Sequence, residues 1–205
     1  MCSAVIMKRN SVELLAPAGN MASFYAAIEN GADAVYLGGK EFSARASAQN
    51  FTLEEMARAV SYAHVRGKKV YVTLNILLSD EECQRAVEYA ADLYRTGIDG
   101  VILQDIGVAD LLARYLPDFE RHGSTQMSIM DLEGARYIEN MGFSRVVVGR
   151  EITPDEIRRI YENTDMEIEA FCHGALCVSI SGQCEMSSYI GGRSGNRGSL
   201  SLIHI

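Results

Sequence analysis

The sequence predicts an incomplete (β/α) TIM-like barrel, with about seven parallel strands alternating with six helices, followed by a segment rich in Gly, Ser and Cys. The main observation is a repeated pattern in which a helical stretch is followed by Gly and then by a short β-branched apolar run. Gly directly after a helix adopts the left-handed backbone conformation that closes it. The apolar run is typical of a strand buried on both faces, as in a parallel sheet. A hydrophobic content of 48% over 205 residues supports a sizeable core.

The predicted strands follow from these apolar runs, four of which come shortly after Gly31, Gly67, Gly97 and Gly142. The full set is Glu13–Ala16, Ala34–Leu37, Lys69–Leu74, Gly100–Leu103, Glu120–Ser124, Arg145–Val148 and Glu167–Phe171. Strands that alternate with helices in this way form either a barrel or a doubly wound sheet.

The predicted helices lie between the strands, and several carry start signals. Thr52 and Glu55 form a capping box, Ser79 precedes three acidic residues, and Pro154 occupies a first helical position. Asn20 and Asp105 are N-cap candidates, although each can instead contact a ligand. The helices are Met21–Asn30, Thr52 to about Arg66, Asp80–Thr96, Asp110–Tyr115, Asp131–Asn140 and Thr153 to about Thr164.

The length favours an incomplete barrel, because a complete one needs eight strands and about 250 residues. A doubly wound sheet is the second possibility, and the lack of a Gly-x-Gly-x-x-Gly turn after the first strand counts against it. From about His173 the alternation stops, and Gly, Ser, Cys and Arg dominate. We therefore divide the chain into a barrel domain, residues 1–172, and a cysteine-containing segment, residues 173–205. A barrel that lacks a strand has open edges, which favour self-association.

The charge and hydropathy exclude some classes of protein. A formal net charge of −8 argues against a protein that coats nucleic acid by bulk charge, although it leaves room for a local basic site. The apolar runs are well below the roughly 18 residues that a membrane span needs. The first residues place a short apolar patch before Lys8 and Arg9, the reverse of the order in a secretory signal. We expect a soluble, cytoplasmic protein.

Polar residues follow several predicted strands, at the end of a parallel barrel where chemistry usually lies. Side chains suited to an anionic or amide-bearing small molecule are Arg45, Gln104, Gln126 and Arg150, since Arg binds a carboxylate through paired hydrogen bonds. Candidate catalytic residues at the same end are Asn75, Glu151 and His173. The alternatives are a solvated Arg150–Glu151 ion pair and a His173 side chain that packs against the cysteine segment.

The five cysteines indicate metal or redox chemistry rather than disulfides, because three of them crowd between Cys172 and Cys184 in a chain with no export signal. Cys177 and Cys184 are separated by six residues that include Gly182, which lets the backbone turn. Thiolates on such loops bind iron–sulfur clusters or zinc. Cys172 is either a third ligand or a small buried apolar side chain. Two cysteines alone do not complete a metal site.

Several segments resemble the collagenase-like peptidases, peptidase family U32, whose catalytic type is unknown. The resemblance runs from about Glu13 to Ser199 and is strongest in the cysteine-containing part. The segments that carry it are Glu13–Asn20, Ala32–Gly39, Ser124–Met127, Glu169–Cys177, Ser181–Cys184 and Arg193–Gly198.

The resemblance implies a barrel-like domain followed by further sequence, and a peptidase label. It also implies that some relatives hydroxylate tRNA or rRNA with prephenate as the oxygen source, and that others assist ubiquinone hydroxylation. In these relatives four cysteines hold a 4Fe-4S cluster, and Cys177 and Cys184 match the first two. The third is expected just after Ser199, where this chain has Leu200. We therefore expect a truncated fragment with an unrelated tail and half of the cluster ligands.

Three functions are compatible with these residues, and an iron–sulfur-dependent RNA hydroxylation enzyme uses most of them. Cys177 and Cys184 would bind the cluster, while Arg193 and Arg197 would contact RNA phosphates unless they merely form a solvated loop. A protease needs an activated nucleophile or a metal-bound water, and the sequence contains neither His-Glu-x-x-His nor Gly-x-Ser-x-Gly. In the protease hypothesis the nucleophile would be Cys177 or a nearby Ser, beside His173. A non-catalytic scaffold is the third possibility.

Overall fold

Eight strands form a closed ring in the computed structural model, which describes residues 3–7, 12–44, 49–174 and 177–191. The strands are β1 Ser3–Met7, β2 Val12–Ala18, β3 Ala34–Gly38, β4 Lys69–Leu74, β5 Gly100–Leu103, β6 Glu120–Gly123, β7 Arg145–Val147 and β8 Glu167–His173. The helices are α1 Met21–Glu29, α2 Leu53–His64, α3 Asp80–Thr96, α4 Ile106–Tyr115, α5 Leu132–Asn140, α6 Pro154–Asn163 and α7 Met186–Gly191. A short 3-10 helix, Thr125–Met127, precedes α5.

The seven strands β2 to β8 are parallel, and each pairs with the next along the chain. This confirms the predicted seven parallel strands with six helices between them, and the closed ring excludes the doubly wound sheet. The barrel is not open, however, because β1 lies antiparallel between β2 and β8, with Ile6 opposite both Glu13 and Glu169. The two edges on which we based self-association are therefore paired with β1.

Several helices begin at the residues that the sequence predicts, and side chains there cap them. Thr52 and Glu55 make the reciprocal capping box of α2, and Thr153 and Glu156 make that of α6. Asn20 caps α1 by accepting a hydrogen bond from the Ser23 amide at 2.8 Å. These side chains satisfy backbone N–H groups that have no partner within the helix.

Two helices differ from their predicted bounds. Asp105 caps α4, which starts at Ile106, four residues before the predicted start at Asp110. The short helix α7 lies in a segment for which no helix was predicted. The predicted boundary between residues 172 and 173 falls inside β8, which ends at His173.

The apolar core has two parts. The larger part fills the space between the strands and the surrounding helices. The smaller part lies inside the ring, where Leu15, Ala34, Tyr71 and Ile102 pack together. Because side chains alternate between the two faces of a strand, these residues identify which positions point inward. Among the described helices, none has both the length and the apolar character needed to cross a membrane.

Candidate functional site at the carboxyl end of the barrel

Several predicted site residues lie at the carboxyl ends of the parallel strands. Asn75 follows β4, Gln104 follows β5, and His173 is the last residue of β8. Gln104 is two positions after Ile102, a member of the inner cluster, so strand alternation places it on the inward side. We call this end of the barrel the mouth. Loops at this end carry the reactive groups in parallel barrels.

Gln104 and Gln126 meet at the mouth, and each is 8% exposed. The Nε2 of Gln104 donates to the backbone oxygen of Gln126 at 3.4 Å. The Oε1 of Gln104 is buried and has no hydrogen-bond partner within the described part of the chain. A buried acceptor of this kind is costly unless a donor reaches it, so the mouth offers a bound molecule one unused acceptor.

Asn75 stabilises the loop after β3, because its Oδ1 accepts a hydrogen bond from the Ala44 amide at 3.1 Å. Next to it, the Ser43 and Thr73 hydroxyls lie 3.1 Å apart and are both buried. His173 is exposed at the end of β8. The Oδ1 of Asn75, which a catalytic role would use, therefore already accepts a hydrogen bond from the protein backbone.

Arg150 contacts the segment of residues 177–184, which we call the cysteine loop. Its Nε donates to the Ser181 Oγ at 3.1 Å, and its Nη2 donates to the Ser179 oxygen at 3.0 Å. Its Nη1 lies 3.5 Å from the Cys177 oxygen, which accepts a third hydrogen bond. The guanidinium that we predicted to bind substrate thus binds the cysteine loop. The alternative, in which Arg150 forms only a solvated ion pair with Glu151, does not describe these contacts.

Glu151 binds the same loop, since its Oε1 accepts a hydrogen bond from the Ser181 amide at 3.0 Å. Partial burial raises the pKa of Glu151, but the hydrogen bonds from Ser181 outweigh it and leave the pKa below its usual value. Glu151 is therefore ionised near neutral pH and acts as an acceptor for the loop.

Ser128 and Gly182 complete the contact between the cysteine loop and the barrel. Ser128 was not among the residues that the sequence predicted for the site. The Ser128 Oγ donates to the Ser181 oxygen at 2.7 Å and accepts from the Gln183 Nε2 at 2.9 Å. Gly182 has φ +78°, and a Cβ atom there would lie 2.4 Å from the Gln126 oxygen. The turn that we inferred from Gly182 is present, and the close approach to Gln126 explains why a side chain does not fit.

The cysteine loop carries two free thiols. Cys177 is exposed and Cys184 is partly buried, while the side chain of Cys172, on β8, is exposed rather than buried among apolar residues. Within the residues that the structure describes, no three His, Cys, Asp or Glu side chains are grouped so that they could hold a metal ion. The described residues thus supply at most two of the four thiolates that the resemblance implies. Three predicted binding residues, Arg45, Arg193 and Arg197, lie outside the described residues.

The amino end of the barrel interior holds a largely buried charged cluster, with Glu167 partly exposed, that the sequence analysis missed. We call it the floor; its members face inward near the starts of the strands and are Glu13, Tyr71, His122, Arg145, Glu167 and Glu169. Arg145 is 0% exposed, and its Nε donates to the Glu167 Oε2 at 2.9 Å. Its Nη2 also donates to the Glu13 Oε1 at 3.3 Å and to the Tyr71 hydroxyl at 3.2 Å.

Burial and close contacts shift the pKa values of the floor and its neighbours. Burial raises the pKa of Glu169 to about 7, although Arg145, whose Nη1 lies 3.9 Å from its Oε2, opposes the shift. Burial lowers the pKa of His122 to about 4, so this side chain is neutral near pH 7. The hydrogen bond from His122 lowers the pKa of Glu120 to about 2.

Comparison with known proteins identifies the family. The model of the family described as Peptidase family U32 matches residues 19–200. The chain belongs to peptidase family U32. This confirms the resemblance that the sequence motifs carry.

Two curated relatives of this U32 chain are named for RNA hydroxylation. The chain is 46% identical over 190 residues to the 23S rRNA 5-hydroxycytidine C2501 synthase of Escherichia coli (strain K12), covering 93% of the chain and 28% of the relative. It is 40% identical over 186 residues to the tRNA hydroxylation protein P1 of Bacillus subtilis (strain 168), covering 91% of the chain and 44% of the relative. The chain therefore spans less than half the length of these relatives.

A solved structure of a U32 peptidase has the same fold. It superposes with a TM-score of 0.63 at 17% sequence identity, and the match covers 75% of this chain and 66% of that one. At this identity the likeness supports the barrel architecture alone.

Proposed function

We propose that this chain is the barrel part of an enzyme that hydroxylates tRNA or rRNA. The observation that carries the proposal is the identity of 46% and 40% to two RNA hydroxylation proteins over 93% and 91% of the chain. These alignments extend over both the mouth and the cysteine loop. The net charge of −8 means that RNA would be bound by local contacts rather than by the overall field.

The mouth offers groups that suit a pyrimidine base. The unused Oε1 of Gln104 would accept a hydrogen bond from a base N–H, such as the amino group of cytosine or the imide of uracil. Tyr36 and Phe171 are partly exposed and pack against the inner cluster, so their rings would provide a surface for stacking. A base flipped out of its RNA strand would bring both kinds of contact together.

Cys177 and Cys184 would be two of the thiolate ligands of an iron–sulfur cluster. Both are free, both lie on the loop that contacts the mouth, and thiolates are the usual donors for such clusters. The remaining ligands would come from residues outside the described part of the chain. When bound, a cluster of this type supplies one-electron redox chemistry. His173 is the last residue of β8 and is exposed, so it would be accessible to a substrate at this end of the barrel.

The co-substrate in this proposal is prephenate, a dicarboxylate that needs cationic partners. Arg150 is already engaged by three residues of the cysteine loop, which leaves it poorly placed to bind a second anion. Arg45, Arg193 and Arg197 therefore remain the candidates for carboxylate and phosphate binding.

A complementation experiment tests the proposal. The protein that carries this chain would be expressed in Escherichia coli strains lacking either the rRNA synthase or the strain's own tRNA hydroxylation protein, and the modified nucleosides would be measured by mass spectrometry. We expect a hydroxylated nucleoside to return in one strain, and to be lost with Cys177→Ser but not with Cys83→Ser. Cys83 is a matched control because it is a free, partly buried cysteine on α3. No hydroxylated nucleoside in either strain would contradict the proposal.

A protease is the second candidate, favoured by the family name. Ser181 does not suit the role of nucleophile, because it is 2% exposed and its Oγ accepts two hydrogen bonds from Arg150. Cys177 is exposed and remains possible. Digestion of denatured collagen that is abolished by Cys177→Ser, without any RNA product in the complementation experiment, would favour this candidate. The absence of both activities would favour a non-catalytic scaffold.

A further inference from the structure

We propose that Arg150 and Glu151 are positioning residues that fix the cysteine loop on the rim of the mouth through Ser181. The contact itself follows from the geometry, whereas its importance for catalysis depends on the proposed function. The loop must be held by the barrel because its own side chains are mostly in solvent: Val178 is fully exposed and Ile180 is 54% exposed. Apolar burial therefore does not explain why the loop takes this position.

Ser181 is the buried point of the loop, at 2% exposure. Each of its polar groups is paired with the rim. Its Oγ accepts hydrogen bonds from the backbone N and the Nε of Arg150, both at 3.1 Å. Its N–H donates to Glu151, and its backbone oxygen accepts from Ser128. We call this set of hydrogen bonds the Ser181 contact; it is comparable to the satisfied polar groups inside a folded domain.

Arg150 connects this contact to the first thiol of the loop. Its guanidinium reaches Cys177, Ser179 and Ser181, three alternate residues of the loop. A planar group with several fixed N–H donors can make such a set, whereas the single ammonium of Lys cannot reproduce it. One side chain from the loop after β7 thereby contacts the backbone of the cysteine loop at Cys177 and Ser179 as well as the Ser181 hydroxyl.

Gly182 connects the contact to the second thiol. Its backbone approaches the Gln126 oxygen so closely that a Cβ atom would lie 2.4 Å away, and a hydrogen bond joins the neighbouring Gln183 to Ser128. Cys184 is two residues farther on and is partly buried. The loops after β6 and β7 thus hold both sides of the turn between Cys177 and Cys184. The barrel rim therefore holds the backbone near both thiols.

The test compares Arg150→Met, Arg150→Lys and Ser181→Ala with Arg158→Met in the whole protein. Arg158 is the matched control, since it lies on α6, is largely exposed and pairs with Asp155. Two rates are measured: hydrogen exchange of the Ser181 amide, and alkylation of Cys184 relative to Cys83 by peptide mass spectrometry. We expect exchange to accelerate about tenfold or more in Arg150→Met and Ser181→Ala. Alkylation of Cys184 should rise with it, Cys83 should stay unchanged, and Arg150→Lys should be intermediate.

The double variant Arg150→Met with Ser181→Ala distinguishes positioning from a general loss of stability. The two substitutions share the hydrogen bond from Arg150 Nε to Ser181 Oγ, and each also removes bonds of its own. The double variant should therefore exchange faster than either single variant but by less than the product of the two effects. Multiplied effects, equal acceleration at Cys83, or exchange unchanged in both single variants would overturn the inference. These readouts do not involve RNA, so a failure of the hydroxylation assay leaves them intact. If Arg150→Met keeps its hydroxylation activity while the Ser181 amide exchanges faster, the Ser181 contact is not needed for catalysis.

Discussion

At the floor of the barrel Arg145 is enclosed by three carboxylates, whereas at the mouth Gln104 keeps a buried acceptor without a donor. Both regions are polar and both lie inside the ring. At the floor the charges compensate one another, although Arg145 Nη1, Glu169 Oε2 and His122 Nδ1 are also buried without a hydrogen-bond partner among the described residues. At the mouth neutral amides and a docked loop leave hydrogen-bonding capacity for another molecule. The difference agrees with the division in parallel barrels between a stabilising amino end and a reactive carboxyl end.

The largest expected effect is that of Arg145→Met, which would leave buried carboxylates without their cation. Removing one partner of a buried ion pair costs about 3–5 kcal/mol of unfolding free energy. Arg158→Met, which breaks the exposed pair with Asp155, should cost about 0–1 kcal/mol. Urea unfolding of both variants measures the difference. Similar losses in the two would show that the floor does not stabilise the fold.

The second effect is a pH dependence that Glu169→Gln should remove. Burial raises the pKa of Glu169 from 4.5 to about 7, so in this range the folded state retains a proton that the unfolded state releases. The stability from this group is complete below about pH 4.5 and is lost as the pH rises through about 7. Relative to Glu169→Gln, the wild type should lose on the order of 3 kcal/mol between these limits.

Unfolding of both proteins by urea at about pH 5 and about pH 8 checks this expectation. His122 acts in the opposite direction, because burial lowers its pKa from 6.5 to about 4 and stability therefore rises with pH in that range. It is present in both proteins and cancels in the difference. Parallel pH profiles would mean that Glu169 is ionised in the folded state throughout.

A smaller effect is expected at the mouth. Gln104→Met removes the unpaired Oε1 acceptor, but it also removes the 3.4 Å hydrogen bond from Nε2 to the Gln126 oxygen. These two effects oppose each other, so the unfolding free energy should change by less than about 1 kcal/mol. Gln84→Met on α3 is the control, because Gln84 is exposed and bonded to Glu88. Thermal and urea unfolding report the change. A loss above about 1 kcal/mol would show that the acceptor is already satisfied in the folded protein.

The smallest effect is expected for an exposed ion pair at the same end of the barrel as the floor, and it tests whether burial rather than location makes a charge pair important for stability. Lys69 and Glu120 lie at the starts of β4 and β6, 3.4 Å apart, and are 36% and 40% exposed. Lys69→Met should cost only about 0.5 kcal/mol, because exposed pairs gain little. The same urea titration measures it. A loss as large as that of Arg145→Met would indicate that this whole end of the barrel acts as one charged network.

The sequence allowed the parallel part of the fold to be predicted because each signal is local. Strands β4 and β5 and helix α3 have their predicted bounds, since Gly97, the Ser79 cap and the apolar runs all lie within a few residues of the elements they define. Strand β1 was missed because its partners are set by pairing across the chain: Ile6 lies opposite Glu169. No local pattern reports such a pairing.

The site was predicted in part for the same reason. Strand ends led to Gln104, Gln126 and Arg150, all of which lie at the mouth or its rim. The engagement of Arg150 by the cysteine loop spans about thirty residues of sequence, and its partners are mostly backbone oxygens, which every residue carries. The floor was missed because Arg145 and Glu167 read as the ordinary polar first residues of strands until the register brings them together.

The position of β1 affects how the protein is made. On the ribosome β1 can pair early with β2, which lies close in sequence, but its other edge must wait for β8. Until residue 173 has left the exit tunnel, the nascent chain therefore carries unsatisfied backbone groups along β1 and along the most recently formed strand. Such edges can pair with other chains, so translation speed and chaperone access over that interval would affect the yield of native protein.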